Sequence, residues 1–224
     1  MRNFVMMVTL FSGILFSNQA YALEDSVGFI FQETFEGFLC VGEKNPIDCQ
    51  ERWAAEKLSF FLKLTHPSAN QYFLDHDLVM GMTGKATINE KKYRVNQGYF
   101  VIDDQTETEK LMYFYYGFTY VDYQGRKFEI KTQKIIFMDE PGETVWDDLT
   151  TMFVRRWQVF EDGTRLPAGV GIITLSQDPF TLGLWVNNIK STNGTWSDDW
   201  EIRMMALDFF VFDRFNTIYD GHPL

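Results

Sequence analysis

The chain has 224 residues, 46% of them apolar and 23% charged. That composition excludes wholesale disorder and collagen-like repeats. Formal charge is −11, from 31 acids against 20 bases, so a phosphate backbone repels the chain and nucleic acid is a poor partner class.

Residues 1–22 read as a bacterial signal peptide. Met1-Arg2-Asn3-Phe4 carries one positive charge, Val5 to Phe16 is an apolar core too short to span a bilayer, and Ala20-Tyr21-Ala22 is a small-x-small cleavage site. One domain is expected over residues 23–224. Removing Arg2 takes the formal charge from −11 to −12. The destination is the periplasm or the extracellular space. Cys40 and Cys49 are the only cysteines, and an even count in an oxidising compartment predicts one disulfide. A loop of about ten residues closed this way contributes roughly 2–3 kcal/mol in the chain-entropy model. Their spacing is no metal signature.

Period-two patterning dominates the rest, as aromatic-rich strands require. Val27 to Leu39 places Phe29, Phe31, Glu33 and Phe35 on one face. Lys57 to His66 is the second strand, and Pro67 opens a short helix from Ser68 to Leu74. Leu78 to Asn89, punctuated by Gly81 and Gly84, reads as a strand with a bend. Tyr93 to Ile102 and Lys110 to Val121 follow as strands, the latter with Phe114, Tyr116, Phe118 and Tyr120 on one face. A turn at Asp122-Tyr123-Gln124-Gly125 leads into a strand from Lys127 to Met138. A second hairpin joins Leu149 to Phe160 and Gly169 to Leu175 through Asp162-Gly163. Phe180 to Ile189 reads as a short helix after Pro179. From Ser197 a helical pattern carries Ile202, Met205, Ala206, Phe209, Phe210, Phe212 and Phe215. The phenylalanines leave a strand open as the alternative for its second half. The sum is a mainly β single domain, an antiparallel β-barrel or sandwich of about eight strands with a short helix and a C-terminal helix.

The chemistry-bearing motifs are sparse. There is no G-x-S-x-G elbow, no phosphate loop, no dinucleotide fingerprint and no H-E-x-x-H. Asp75-His76-Asp77, with His66 nearby, is the best metal candidate, but adjacent strand residues diverge and a solvated loop explains them as well. Glu33 is sharper. A carboxylate among phenylalanines is costly unless paired or protonated. It is either a polar anchor or general acid, or one half of an ion pair with a basic residue such as Arg155 or Arg156, or a strand-edge residue that reaches water. Asn193-Gly194-Thr195 matches a glycosylation sequon, relevant only in a eukaryotic host.

Taken in order, Phe31, Glu33 and Gly37, then Asp122, Gly125 and Phe128, Lys134, Pro141-Gly142, Trp146 with Asp148-Leu149-Thr150-Thr151, Gly169, Gly171, Phe215 and Tyr219 carry a resemblance. The chain resembles the β-rich accessory module found beside bacterial GMC-type, cholesterol-oxidase-like flavin oxidoreductases. It does so without the flavin domain, so the resemblance implies no oxidase activity and no cofactor. It implies company with sterol and lipid enzymes, and hence an apolar ligand or proximity to a membrane.

Two functions follow as expectations. The first is an exported non-catalytic module binding a lipid- or sterol-like ligand, accessory to a lipid-metabolising enzyme. Its contacts would be Phe29, Phe31, Phe35, Tyr116, Phe118 and Trp146, with Glu33 as polar anchor. The second is an exported enzyme on a β scaffold, using Glu33 or the Asp75-His76-Asp77 cluster for acid–base work.

Overall fold

Alternating burial along each strand sorts side chains into a barrel interior and an outer surface, and the pairing register closes the barrel. The computed structural model describes residues 23–49, 55–138, 145–175 and 186–219. Its strands are β1 (Phe29–Cys40), β2 (Glu56–His66), β3 (Val79–Ile88), β4 (Lys91–Asp104), β5 (Met112–Val121), β6 (Lys127–Ile136), β7 (Thr151–Val159), β8 (Arg165–Leu175) and β9 (Ile189–Ser191). Each of β1 to β8 pairs antiparallel with the next, and β8 returns to β1. The result is a closed eight-stranded up-and-down barrel. Closure removes the unpaired edges that an open sheet must protect.

β1 is the joint of the wall. Its second half, Phe35–Cys40, pairs with β8, and its first three residues pair with β9. Glu33 lies between those two pairings. The β1–β8 contact depends on glycine: a Cβ on Gly171 would collide with the carbonyl of Phe38, and one on Gly37 with the carbonyl of Ile172. Gly171→Ala is therefore expected to push β8 off β1 and to cost about 3 kcal/mol. Chemical denaturation measures this, and an unchanged midpoint would show that the seam tolerates a methyl group.

An up-and-down meander places successive connections at alternate ends. One end carries tight turns. Asn89 and Glu90 both take positive φ, Asp122 accepts from the backbone N–H of Gln124 and Arg126, and Asp162 accepts from that of Thr164. Here Cys40 and Cys49 form a disulfide, with Cα atoms 5.5 Å apart, inside the normal range. Cys49 ends a 3₁₀ turn, Ile47–Cys49. Arg156 reaches inward at this end, donating to Glu56 Oε2 at 3.0 Å and to the carbonyl of Ala168 at 3.0 Å, over the ring of Phe128.

The other end is capped by helices. These are α1 (Ala69–Phe73), α2 (Thr106–Glu109), α3 (Val145–Thr150), α4 (Trp196–Leu207) and α5 (Asn216–Ile218). Ser68 caps α1 and Thr195 caps α4, each accepting from a backbone N–H three residues on. Asp199 in the first turn of α4 accepts from Ser191 N and Oγ at 2.6 and 2.7 Å, and Arg203 donates to the carbonyl of Ile189 at 3.0 Å. Those bonds fasten the cap to β9.

Between α4 and α5, Asp208–Phe215 is π-wound. Bonds from i to i+5 bring residues five apart onto one face. Phe209 thus lies under the Arg214 guanidinium at 5.2 Å, and Phe210 beside Phe215 at 5.8 Å. Arg214 also pairs with Asp104 at 2.6 Å, tying the segment to the end of β4. The expected C-terminal helix is present and the strand alternative for its second half is not.

Several expected boundaries move. Leu149 and Thr150 belong to α3 rather than to β7. β8 starts at Arg165, because Pro167 sits opposite Trp157 where the register shifts, a place where a strand accepts proline. The helix expected over Phe180 to Ile189 falls mostly outside the described residues, and Ile189 itself opens β9.

Candidate functional site

The inward residues of β1 meet those of β5 and β6 inside the capped half of the barrel. Phe29, Phe31, Glu33 and Phe35 all face in, as the alternation predicts. Glu33 is only 4% exposed. Tyr116 donates its hydroxyl to Glu33 Oε2 at 2.7 Å, and Lys134 Nζ lies 3.6 Å from Oε1. Lys134 is itself 2% exposed. Its ammonium stands 4.7 Å from the centre of the Phe35 ring and 5.6 Å from that of Tyr116. A carboxylate, a phenol and an amine thus satisfy one another within aromatic walls, which a buried charge requires. Thr132, one inward position before Lys134 on β6, is buried, and its hydroxyl has no hydrogen-bond partner among the described residues.

The basic partner of Glu33 is therefore Lys134, where Arg155 or Arg156 was expected. Arg155 points outward, and Arg156 is committed to Glu56 at the hairpin end. Period two from Phe128 through Ile130 and Thr132 leads to Lys134, so its inward position was legible. The pairing across the barrel was not.

Burial shifts the titration of this cluster. It raises the phenol of Tyr116 well above the ordinary tyrosine range, and the charge and hydrogen-bond acceptance of Glu33 push the same way. Burial also raises Tyr72, with Glu33 adding to it. The Lys134 amine is lowered by burial, against the opposing pull of Glu33.

Beneath the cap lies an enclosed cavity of about 30 Å³. Phe29, Phe31, Glu33 and Tyr116 contribute to its barrel side, Phe73 and Phe210 to its cap side. It is roomy enough for a water molecule, and Glu33, Tyr72 and Tyr116 are the polar side chains that line it. Edge and stacked contacts knit its rim: Phe29 lies 5.2 Å from Tyr72 and 5.1 Å from Phe73, and Phe73 lies 6.3 Å from Phe210. That Tyr72, Phe73 and Phe210 line the cavity was not legible in the sequence, because helical packing onto a barrel mouth leaves no local signature.

Of the other expected contacts, Phe35 packs against Tyr116 at 5.9 Å and touches the Lys134 ammonium rather than the cavity. Phe118 sits deeper in the barrel, edge-on to Phe60 at 5.1 Å. Trp146 falls on α3, but its side chain lies outside the described part of the structure.

The acid–base residues are not assembled in one place. Asp77 is paired with His66 at 3.5 Å, and His76 rests against Phe209 at 5.6 Å. His66 Nδ1 lies 2.5 Å from the carbonyl oxygen and 3.2 Å from the backbone N–H of Ser68. Asp148 accepts from the Phe137 N–H at 2.8 Å and from the Tyr219 hydroxyl at 2.5 Å, clasping α3 to the end of α5. Neither His76 nor Asp148 reaches the cavity that Glu33 lines. Among the described residues no group of three or more His, Cys, Asp or Glu is placed to hold a metal ion, and no helix is long and apolar enough to cross a membrane.

Comparison with protein-family models, with curated proteins and with solved structures finds no match for this chain.

Proposed function

We propose that the protein is an exported, non-catalytic binding barrel for a lipid- or sterol-like molecule, accessory to sterol or lipid metabolism. The observation that carries this reading is the enclosed aromatic cavity at the junction of barrel and cap, with Glu33, Tyr72 and Tyr116 as its polar side chains. An apolar body against phenylalanines, oriented by one hydroxyl or carbonyl at a fixed polar point, is how such sites select ligands. The disulfide is compatible with an oxidising compartment. The resemblance to the accessory module of GMC-type oxidoreductases points toward the same ligand class.

A ligand site of ordinary size needs roughly 300 Å³ or more, so the closed cavity is a seed that grows as the cap lifts. Phe73 and Phe210 are the rings that must move. Titration with a fluorescent fatty acid, and with a sterol in competition, tests this. One saturable equivalent per chain is expected. Phe210→Ala, which removes a cap ring from the lining, should tighten binding about tenfold by removing part of the cost of opening. Absence of saturable binding by both the parent and Phe210→Ala would overturn the reading.

A further inference from the structure

The outer surface of β2, β3 and β4 runs against the charge of the molecule. The chain carries a formal charge of −11. Yet the outward positions of β2 and β3 hold Lys57, Lys63 and Lys85 and no acid, and the first half of β4 adds Lys92 and Arg94, its outward Asp103 lying at the far end of the strand. None of these five side chains forms an ion pair with a described residue, as is also true of Lys127, Arg155 and Lys190 on other faces, whereas Arg126, Lys131, Arg156, Arg165, Arg203 and Arg214 each do. What sets this face apart is that its bases are gathered on adjacent strands. The register places Lys85 directly opposite Arg94. Like charges facing across a strand pair destabilise it. A rule broken without a local gain marks a surface kept for another purpose.

Phenylalanines stand among these charges. Phe61 on β2 faces Lys85, and Phe38 on β1 faces Lys57. They are 46% and 43% exposed. Toward the cap the same face opens into a shallow groove of about 480 Å³, with Thr65, Gly81, Thr83, Gln97 and Tyr99 along it. Acids border the cluster at Glu36, outward on β1 beside Ser59, and at Glu90 in the β3–β4 turn.

We infer that this face is a docking surface for an anionic lipid bilayer. Lysine and arginine meet the headgroups, and each such residue strengthens attachment about fivefold. Phe61 and Phe38 have no hydrogen-bonding group to offer a sugar or a base edge. They suit the boundary between headgroups and acyl chains, where exposed rings on a basic face insert. That favours a bilayer over a soluble polyanion. The acidic remainder of the molecule does not prevent contact, because beyond about 10 Å its repulsion is screened at 0.1 M salt. The inference does not depend on the interior ligand, and its test leaves that reading untouched.

The test is flotation of the full chain with vesicles of phosphatidylglycerol and phosphatidylcholine, against phosphatidylcholine alone. Attachment to the anionic vesicles is expected, weakening steeply with salt. Lys85→Glu should reduce it at least 25-fold, since it removes one positive charge and adds a negative one. The same substitution turns a repulsive pair into an attractive one, so its melting temperature should rise by roughly 1–4 °C. Phe61→Ser should weaken attachment without altering its salt dependence. Binding and stability moving in opposite directions at Lys85 is a signature that a merely structural residue would not give. No attachment to anionic vesicles, attachment that survives Lys85→Glu, or capture by heparin in place of vesicles would each overturn the inference.

Discussion

Glu33→Gln is expected to destabilise the protein by roughly 3–5 kcal/mol, the cost of leaving a buried charge without its partner. The uncompensated group would be Lys134, whose amine has Glu33 at 3.6 Å as its counter-charge. Adding Lys134→Met should recover most of the loss, because an apolar side chain asks nothing of the vacated carboxamide and replaced buried pairs are often neutral. The loss in the single variant should also shrink with rising pH. The amine of Lys134 is held below its ordinary 10.5 in the folded protein. Between its folded and unfolded values the unfolded chain holds the proton and the folded chain does not, so stability climbs with pH there. Denaturant melts of the parent and of the single and double variants across neutral and alkaline pH measure all three effects. A single variant that melts with the parent would show that Glu33 and Lys134 are not coupled.

Above pH 10 the parent protein should lose stability abruptly. Tyr72 and Tyr116 are buried, and burial beside Glu33 raises both phenols above the ordinary 10.0. Below pH 10 both states keep these protons and stability is indifferent to them. Above it the unfolded chain releases them while the folded one holds on. Each phenol then costs roughly 1 kcal/mol per pH unit. Tyr120, raised to about 12 chiefly by burial, adds to the fall until pH passes that value. The opposing gain from Lys134 ends near 10.5, so the tyrosines decide the outcome beyond it. Tyrosinate absorbance and the denaturation midpoint should therefore change together, and Tyr116→Phe should flatten the fall by about a third. Gradual ionisation with a steady midpoint would mean that these hydroxyls reach solvent.

Alternation made the barrel legible strand by strand. Phe29 to Phe35 on β1 and Phe114 to Tyr120 on β5 face inward as period two requires. Glu33 stood out because it is a charge on an apolar face, a contradiction readable without a partner in view. What stayed hidden is relational. Lys134 lies about a hundred residues downstream and reaches Glu33 only because the sheet closes. Tyr72 and Phe73 on a helix of five residues, and Phe210 on the π-wound segment, line the cavity through packing that no local pattern encodes. β9 escaped because three residues carry too little alternation to register. The basic face went unseen because the total of 31 acids and 20 bases says nothing about which strands the bases share.

The winding of Asp208–Phe215 bears on how this chain tolerates a change of length. A π turn holds about one residue more than an α turn. Its surplus falls on the solvent side, where Phe212 is 47% exposed. A chain lacking Phe212 would rewind the segment as an ordinary α-helix, with Arg214 four residues from Phe209 and Phe215 four from Phe210. Both ring contacts would survive, Tyr219 would still arrive opposite Asp148, and the roof over the chamber would close as before. The segment is thus a point where the loss of one residue is expected to be absorbed within the helix, at the cost of the contacts Phe212 makes, without a loop to take it up.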